Sequence, residues 1–136
     1  MPFHKFNGIT TQYPNEHFEV VLSTNVLHHS AKNQKAEAEI RRILKPGGSF
    51  VVIETVPIGD HPQDLAVSFE RTFVGDYFYN RILHPGANVP VPGTYETPSG
   101  WTKRFTRWSR MVFSQDLGID IPVIQDSHWL GVFTKK

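Results

Sequence analysis

The chain has 136 residues, 39% of them apolar and 20% charged, a globular composition with material for one hydrophobic core. Fourteen Lys plus Arg stand against thirteen Asp plus Glu, so the formal charge of +1 calls for neither a nucleic acid nor an anionic membrane surface. The absence of cysteine excludes disulfides, thiolate catalysis and sulfur-ligated zinc.

The longest apolar run, Phe50 to Ile53, is far too short to cross a bilayer, and the amino-terminal residues carry no apolar leader. The expectation is a soluble, cytoplasmic chain forming one domain over 1–136. Phe18 to Thr24, preceded by the turn-like Tyr13-Pro14-Asn15-Glu16, reads as a buried strand rich in β-branched residues. From about Ala31 the period changes. Ala36, Ile40, Ile43 and Leu44 form one apolar stripe, while Lys35, Glu37, Glu39, Arg41 and Arg42 are expected on a solvated face. Lys45-Pro46-Gly47-Gly48 stops that helix, because proline cannot continue it and glycine takes the left-handed exit. Ser49 to Val56 then reads as a second buried strand. Strand, helix and strand make a βαβ unit, whose strands run parallel.

The second half is less regular. Leu65, Phe69, Phe73 and Tyr77 at a spacing of four predict a helix over about 64–80. Residues 84–100 hold Pro85, Pro90, Pro92 and Pro98 with Gly86, Gly93 and Gly100, a long loop of the kind that carries function. The stretch from Trp101 to Phe113 is expected to be helical in part, and 119–124 and 128–134 read as antiparallel closing strands.

Phe18-Glu-Val-Val-Leu-Ser-Thr-Asn-Val-Leu-His-His-Ser, followed by Glu39-Ile-Arg-Arg-Ile-Leu-Lys-Pro-Gly-Gly-Ser-Phe-Val-Val-Ile-Glu54, resembles the class I S-adenosylmethionine-dependent methyltransferases of the small-molecule type. The resemblance is dense over 5–57 and general beyond. It implies an α/β, Rossmann-like methyltransferase fold with a mainly parallel sheet. It implies methyl transfer to a small-molecule acceptor, with S-adenosylmethionine as cofactor. In such sheets ligands bind beyond the carboxyl ends of the strands. Ser23, Thr24 and Asn25 end one strand and Glu54 and Thr55 the other, so both sets are expected to open on one crevice.

By the same resemblance Asn7 and Gly8 fall where the family contacts the adenine, with Asn in place of an Asp. Ser23, Thr24, Asn25 and His28 are the remaining cofactor candidates, and His29, Glu54, Tyr77 and Tyr79 the substrate candidates. Asn7-Gly8 reads equally as a turn, and the two tyrosines as half-buried core. Adjacent His28 and His29 are expected to diverge, without an acidic partner at metal-ligand spacing, so no metal is expected. His28 as a general base, or as a packed or capping residue, both stay open.

The family's glycine-rich cofactor turn has no counterpart, since no two of the ten glycines are spaced i, i+2. The expectation is therefore a truncated fold that alone binds S-adenosylmethionine weakly or not at all. A homodimer or a complementing amino-terminal segment would cover Val20, Leu22, Val51 and Ile53. The alternative is a non-catalytic, methyltransferase-like partner-binding module. Trp101, Lys103, Arg104, Phe105, Arg107, Trp108 and Arg110 interleave bases with aromatics, a pattern that can suit single-stranded nucleic acid. An amphipathic helix with its rings inward accounts for that pattern and is preferred.

Overall fold

A computed structural model describes residues 7, 9–119 and 127–136. Strand β1 (Phe18–Thr24) leads through a 3-10 turn (Leu27–His29) into helix α1 (Asn33–Ile43) and strand β2 (Leu44–Val56). Helix α2 (Pro62–Tyr77) runs into a π-helical turn (Phe78–Leu83) and a 3-10 turn (Pro85–Ala87). Helix α3 (Pro98–Phe105), strand β3 (Ser109–Ile119) and strand β4 (Ser127–Lys135) complete the described elements. The sheet order is β1-β2-β4-β3. β1 pairs parallel with β2, and β4 pairs antiparallel with both β2 and β3. The described sheet is thus a parallel βαβ unit closed by an antiparallel pair. Expected strand 119–124 lies outside the described residues except for Ile119, and Ser109 to Phe113 is strand rather than helix.

The βαβ unit follows its sequence pattern. Ala36, Ile40 and Ile43 are buried on the stripe of α1. The chain leaves the helix at Leu44, whose N–H still reaches the Ile40 carbonyl, and enters β2 directly. Gly47 takes φ +73°, a region that glycine enters without a Cβ penalty. At Gly48 a Cβ would stand 2.9 Å from the Glu19 carbonyl oxygen, so only glycine lets β1 approach here.

Glu39 corrects the expected solvated face. It is 5% exposed, accepts from the Thr11 N–H and hydroxyl at 2.7 Å each, and pairs with Arg42 at 2.7 Å. Arg42 in turn donates to Tyr13 O and Asn15 Oδ1, fastening the segment before β1 onto α1.

One face of the sheet carries the core. Phe50, Val52 and Val56 of β2 meet Trp129 and Phe133 of β4 beneath Trp101 and Phe105 of α3. The rings of Phe50 and Phe105 meet edge to face at 5.1 Å, and Phe105 and Phe133 at 5.3 Å. Trp101 and Phe105 are fully buried and Trp108 nearly so, which removes their rings from any base-stacking role. The cations lie outside, with Arg104 paired to Glu37 at 2.6 Å and set over the Trp101 ring. The opposite face is bare at β1, where Val20 and Leu22 are about three-fifths exposed, and Val51 and Ile53 are half-buried.

Helix α2 turns its apolar row outward in its second half, Leu65 and Phe69 being half-buried. Phe73 and Tyr77 are exposed, while Thr72, Asp76 and Asn80 form the buried stripe. No helix among the described residues is long and apolar enough to cross a membrane.

Candidate functional site

The site forms where β1 and β2 end. Thr24 pairs with Ile53 in register, and the Asn25 N–H donates to the Ile53 carbonyl, so the next residue of β2, Glu54, faces the turn that follows β1. Glu54 is fully buried. Its Oε1 accepts from the N–H groups of Val26 and Leu27 at 3.1 and 2.8 Å, and its Oε2 from the His28 N–H at 3.4 Å. A helical turn leaves its first N–H groups without partners, and this carboxylate supplies them. The same Oε2 lies 2.5 Å from His28 Nδ1. With backbone donors converging on it, the carboxylate is the acceptor in that contact, and Nδ1 donates to it. His28 is 2% exposed, and Tyr95 stacks on it with centroids 5.3 Å apart.

His29 does not diverge from His28. The two ring centroids are 4.1 Å apart, and His29 Nδ1 bonds the Pro90 carbonyl at 2.8 Å. An acidic partner arrives from α2, as Asp76 Oδ1 stands 3.7 Å from His29 Nε2. These findings correct the expectation of splayed rings with no acidic partner. Burial, and secondarily the neighbouring His28, push the His29 imidazole below its ordinary range, against the pull of Asp76. Asp76 is itself held by the Tyr95 hydroxyl at 2.5 Å and the Asn80 amide at 2.6 Å.

The Pro/Gly-rich loop closes this cluster. Thr94 Oγ1 donates to the His28 carbonyl at 2.8 Å, Pro90 holds His29, and Tyr95 reaches Asp76. Neither Thr94 nor Tyr95 stood out in the sequence beyond their place in a long loop. Tyr77 and Tyr79 stand apart from the cluster. They are 49% and 44% exposed, with Tyr77 against Phe73 and Tyr79 against His84.

The cofactor candidates divide. Thr24 and Asn25 are exposed at the strand end, and Asn25 takes φ +49° there, its side chain near Thr55 and His128. Ser23 is buried and lines a cavity of about 200 Å³ with Val21, Val26, Leu27 and Ile40. The Asn7 side-chain Oδ1 accepts from the Ile9 and Thr10 N–H groups at 2.9 and 2.8 Å, a local turn at that position. Gly8 lies outside the described residues.

Residues 1–52 match the family described as a methyltransferase domain. The fold agrees. A methyltransferase from Haloferax volcanii, solved in complex with the Trm112 methyltransferase activator, superposes with TM-score 0.63 at 16% identity over 96% of this chain. A SAM-dependent methyltransferase from Methanosarcina mazei superposes with TM-score 0.65 at 12% identity, also over 96% of this chain. Over residues 1–52 the chain thus resembles the methyltransferase family, and its described fold is that of the S-adenosylmethionine-dependent methyltransferases. Among curated proteins the chain is 30% identical over 90 residues, 66% of its length, to the highly reducing polyketide synthase cm3B of Cordyceps militaris. It spans 3% of that synthase, and 59% and 65% of the two solved chains.

The fit of S-adenosylmethionine to this chain turns on the groups at the end of β1. Thr24 and Asn25 suit it, being polar and exposed beyond the strand. At Asn7, Oδ1 is engaged in a local turn.

Proposed function

We propose that this chain serves S-adenosylmethionine-dependent methyl transfer to a small acceptor that must lose a proton, with His28 as general base and Glu54 as its positioning carboxylate. The observation that carries the reading is the 2.5 Å contact between His28 Nδ1 and a fully buried Glu54. A carboxylate that fixes the tautomer and orientation of an imidazole is the arrangement general-base histidines use. A packed histidine has no need of a buried carboxylate that is also held by three backbone N–H groups.

The cofactor, when bound, supplies the methyl group as a sulfonium and leaves as the thioether. Thr24 and Asn25 are the residues we assign to holding it. His28 Nε2 takes the acceptor proton, and the electron pair of the broken bond becomes the nucleophile. Glu54 balances the imidazolium so formed without taking the proton. The loop through Thr94 and Tyr95 shields the pair from water, which strengthens both interactions.

The need for a base selects the acceptor. A thiolate already presents its electron pair, whereas a hydroxyl or a carbon next to a carbonyl must lose a proton, and of these the carbon acid has the greater need of a positioned base. A carbon acid of this kind, a β-carbonyl acyl chain, also suits the polyketide synthases to which the chain is similar. The bare edge at Val20 and Leu22 supports completion by a further segment or second copy, which would bring what the missing Gly-x-Gly turn does not. The reading keeps the chain cytoplasmic.

The test is methyl transfer from labelled S-adenosylmethionine to a β-carbonyl thioester and, beside it, to a primary amine. Label confined to the carbon acid, and lost in His28→Gln, supports the reading. Equal labelling of the amine, or a fully active His28→Gln, rejects it.

A further inference from the structure

The cluster His28, His29 and Asp76 has a second chemical capacity. Among the described residues each offers one ligand atom, and the three atoms lie within 4.8 Å of one another. We propose that these three side chains form a binding site for a zinc-class divalent cation.

Three features distinguish the cluster from a chance meeting of polar groups. The first is the engagement of the outward nitrogens. A metal-binding histidine usually has its other ring nitrogen held by a carboxylate or a backbone carbonyl, which fixes the ring and raises its basicity. Both forms occur here, since His28 Nδ1 contacts Glu54 and His29 Nδ1 contacts the Pro90 carbonyl. Each ring therefore has Nε2 left for an ion. The second is that the carboxylate is also held from behind, by Tyr95 on Oδ2 and Asn80 on Oδ1.

The third is the spacing. His29 Nε2 and Asp76 Oδ1 are 3.7 Å apart, too far for a hydrogen bond. Two ligands on one zinc at about 2.0–2.2 Å sit roughly 3–3.5 Å from each other, so this pair needs a closure of a few tenths of an ångström, while the three atoms together, within 4.8 Å, draw in further around an ion. His28 and Asp76 are nine-tenths buried, which removes most competing water. Two imidazoles and one carboxylate leave a tetrahedral ion one open position, and this donor set prefers zinc, cobalt or ferrous iron to calcium or magnesium.

The rotation of α2 belongs to the same picture. The helix buries Thr72, Asp76 and Asn80 and leaves Phe73 and Tyr77 outside, against the ordinary sorting of apolar and polar residues. That orientation is what delivers Asp76 to the histidines. An ion at the site would take the Nε2 lone pair of His28. Metal binding and proton abstraction are then alternatives for that residue, a consequence that rests on the base reading above.

The experiment is a Co²⁺ titration of the metal-free 136-residue chain, without cofactor or acceptor, followed by visible d–d absorption and competed with Zn²⁺. The expected result is one equivalent bound, displaced by zinc, and abolished in both Asp76→Asn and His29→Gln. Tyr95→Phe, which removes a support and no ligand, weakens binding about tenfold. Circular dichroism of each variant separates lost binding from lost folding. Absence of a stoichiometric band in the wild type overturns the site, and so does undiminished binding in folded Asp76→Asn and His29→Gln. Because no methyl donor is present, either outcome is independent of the methyl-transfer assay.

Discussion

Glu54 lies near the carboxyl end of β2 and His28 within the turn after its parallel neighbour β1, and the two buried side chains meet at 2.5 Å. The carboxylate holds the backbone of that turn through three N–H groups and the imidazole through Nδ1. Position of the turn and orientation of the ring therefore depend on one residue.

Glu54→Gln keeps the shape and exchanges the charge-balancing acceptor for an amide. We expect methyl transfer to fall by about 10²–10⁴-fold, the usual weight of general-base catalysis, with affinity for S-adenosylhomocysteine little changed. Steady-state rates beside calorimetric titration check this. A parallel collapse of cofactor affinity would point to a structural role for Glu54 instead.

Glu39 makes stability depend on acid. Its carboxyl is lowered from the ordinary 4.5 to about 2, chiefly by the hydrogen bond from Arg42 and next by the bonds from Thr11, against burial. A depressed folded-state value stabilises the fold above the unfolded value, and that contribution is lost as pH falls from about 4.5 toward 2. Glu39→Gln should cost about 1.5–3 kcal/mol at neutral pH. Urea unfolding at neutral and acidic pH should show the wild type converging on the variant as the pH drops.

Gly131 lies on β4 between Trp129 and Phe133. A Cβ there would stand 2.5 Å from Trp129 Cη2 and 2.7 Å from Phe133 Cε2. Gly131→Ala should destabilise the fold by about 1–3 kcal/mol through overpacking, despite the better strand propensity of alanine. A melting temperature at or above that of the wild type would show that the two rings can part without cost.

Phe50 is fully buried where β2, β4 and α3 meet, touching the rings of Phe105, Trp108 and Phe133. Phe50→Ala should lose about 3–5 kcal/mol, the range for a large core ring replaced by a methyl group. Val20→Ala, at a side chain 58% exposed in the described chain, should cost under about 0.5 kcal/mol. A large loss at Val20 would indicate that a second copy covers the edge of β1.

The βαβ unit was legible because each of its signals is local. The apolar run of β1, the stripe Ala36, Ile40 and Ile43, and the stop at Pro46-Gly47-Gly48 each act within a few residues. Helix α2 was legible in extent, and its orientation was not. The spacing of Leu65, Phe69, Phe73 and Tyr77 points that face inward, whereas the turn and loop against which the helix packs are polar and accept Asp76 and Asn80 instead. Glu39 was taken for a surface residue, because the segment that covers it, Thr11 to Asn15, lies more than twenty residues away.

The sequence by itself determined the strand–helix–strand unit and the family it resembles, since hydrophobic periodicity and chain-breaking residues operate over one or two turns of backbone. Only the tertiary structure decided which polar groups meet. His28 and Glu54 are 26 positions apart, and His29 and Asp76 are joined across an intervening strand. Their contact depends on strand register and helix rotation, which packing of the whole core sets and no local pattern encodes.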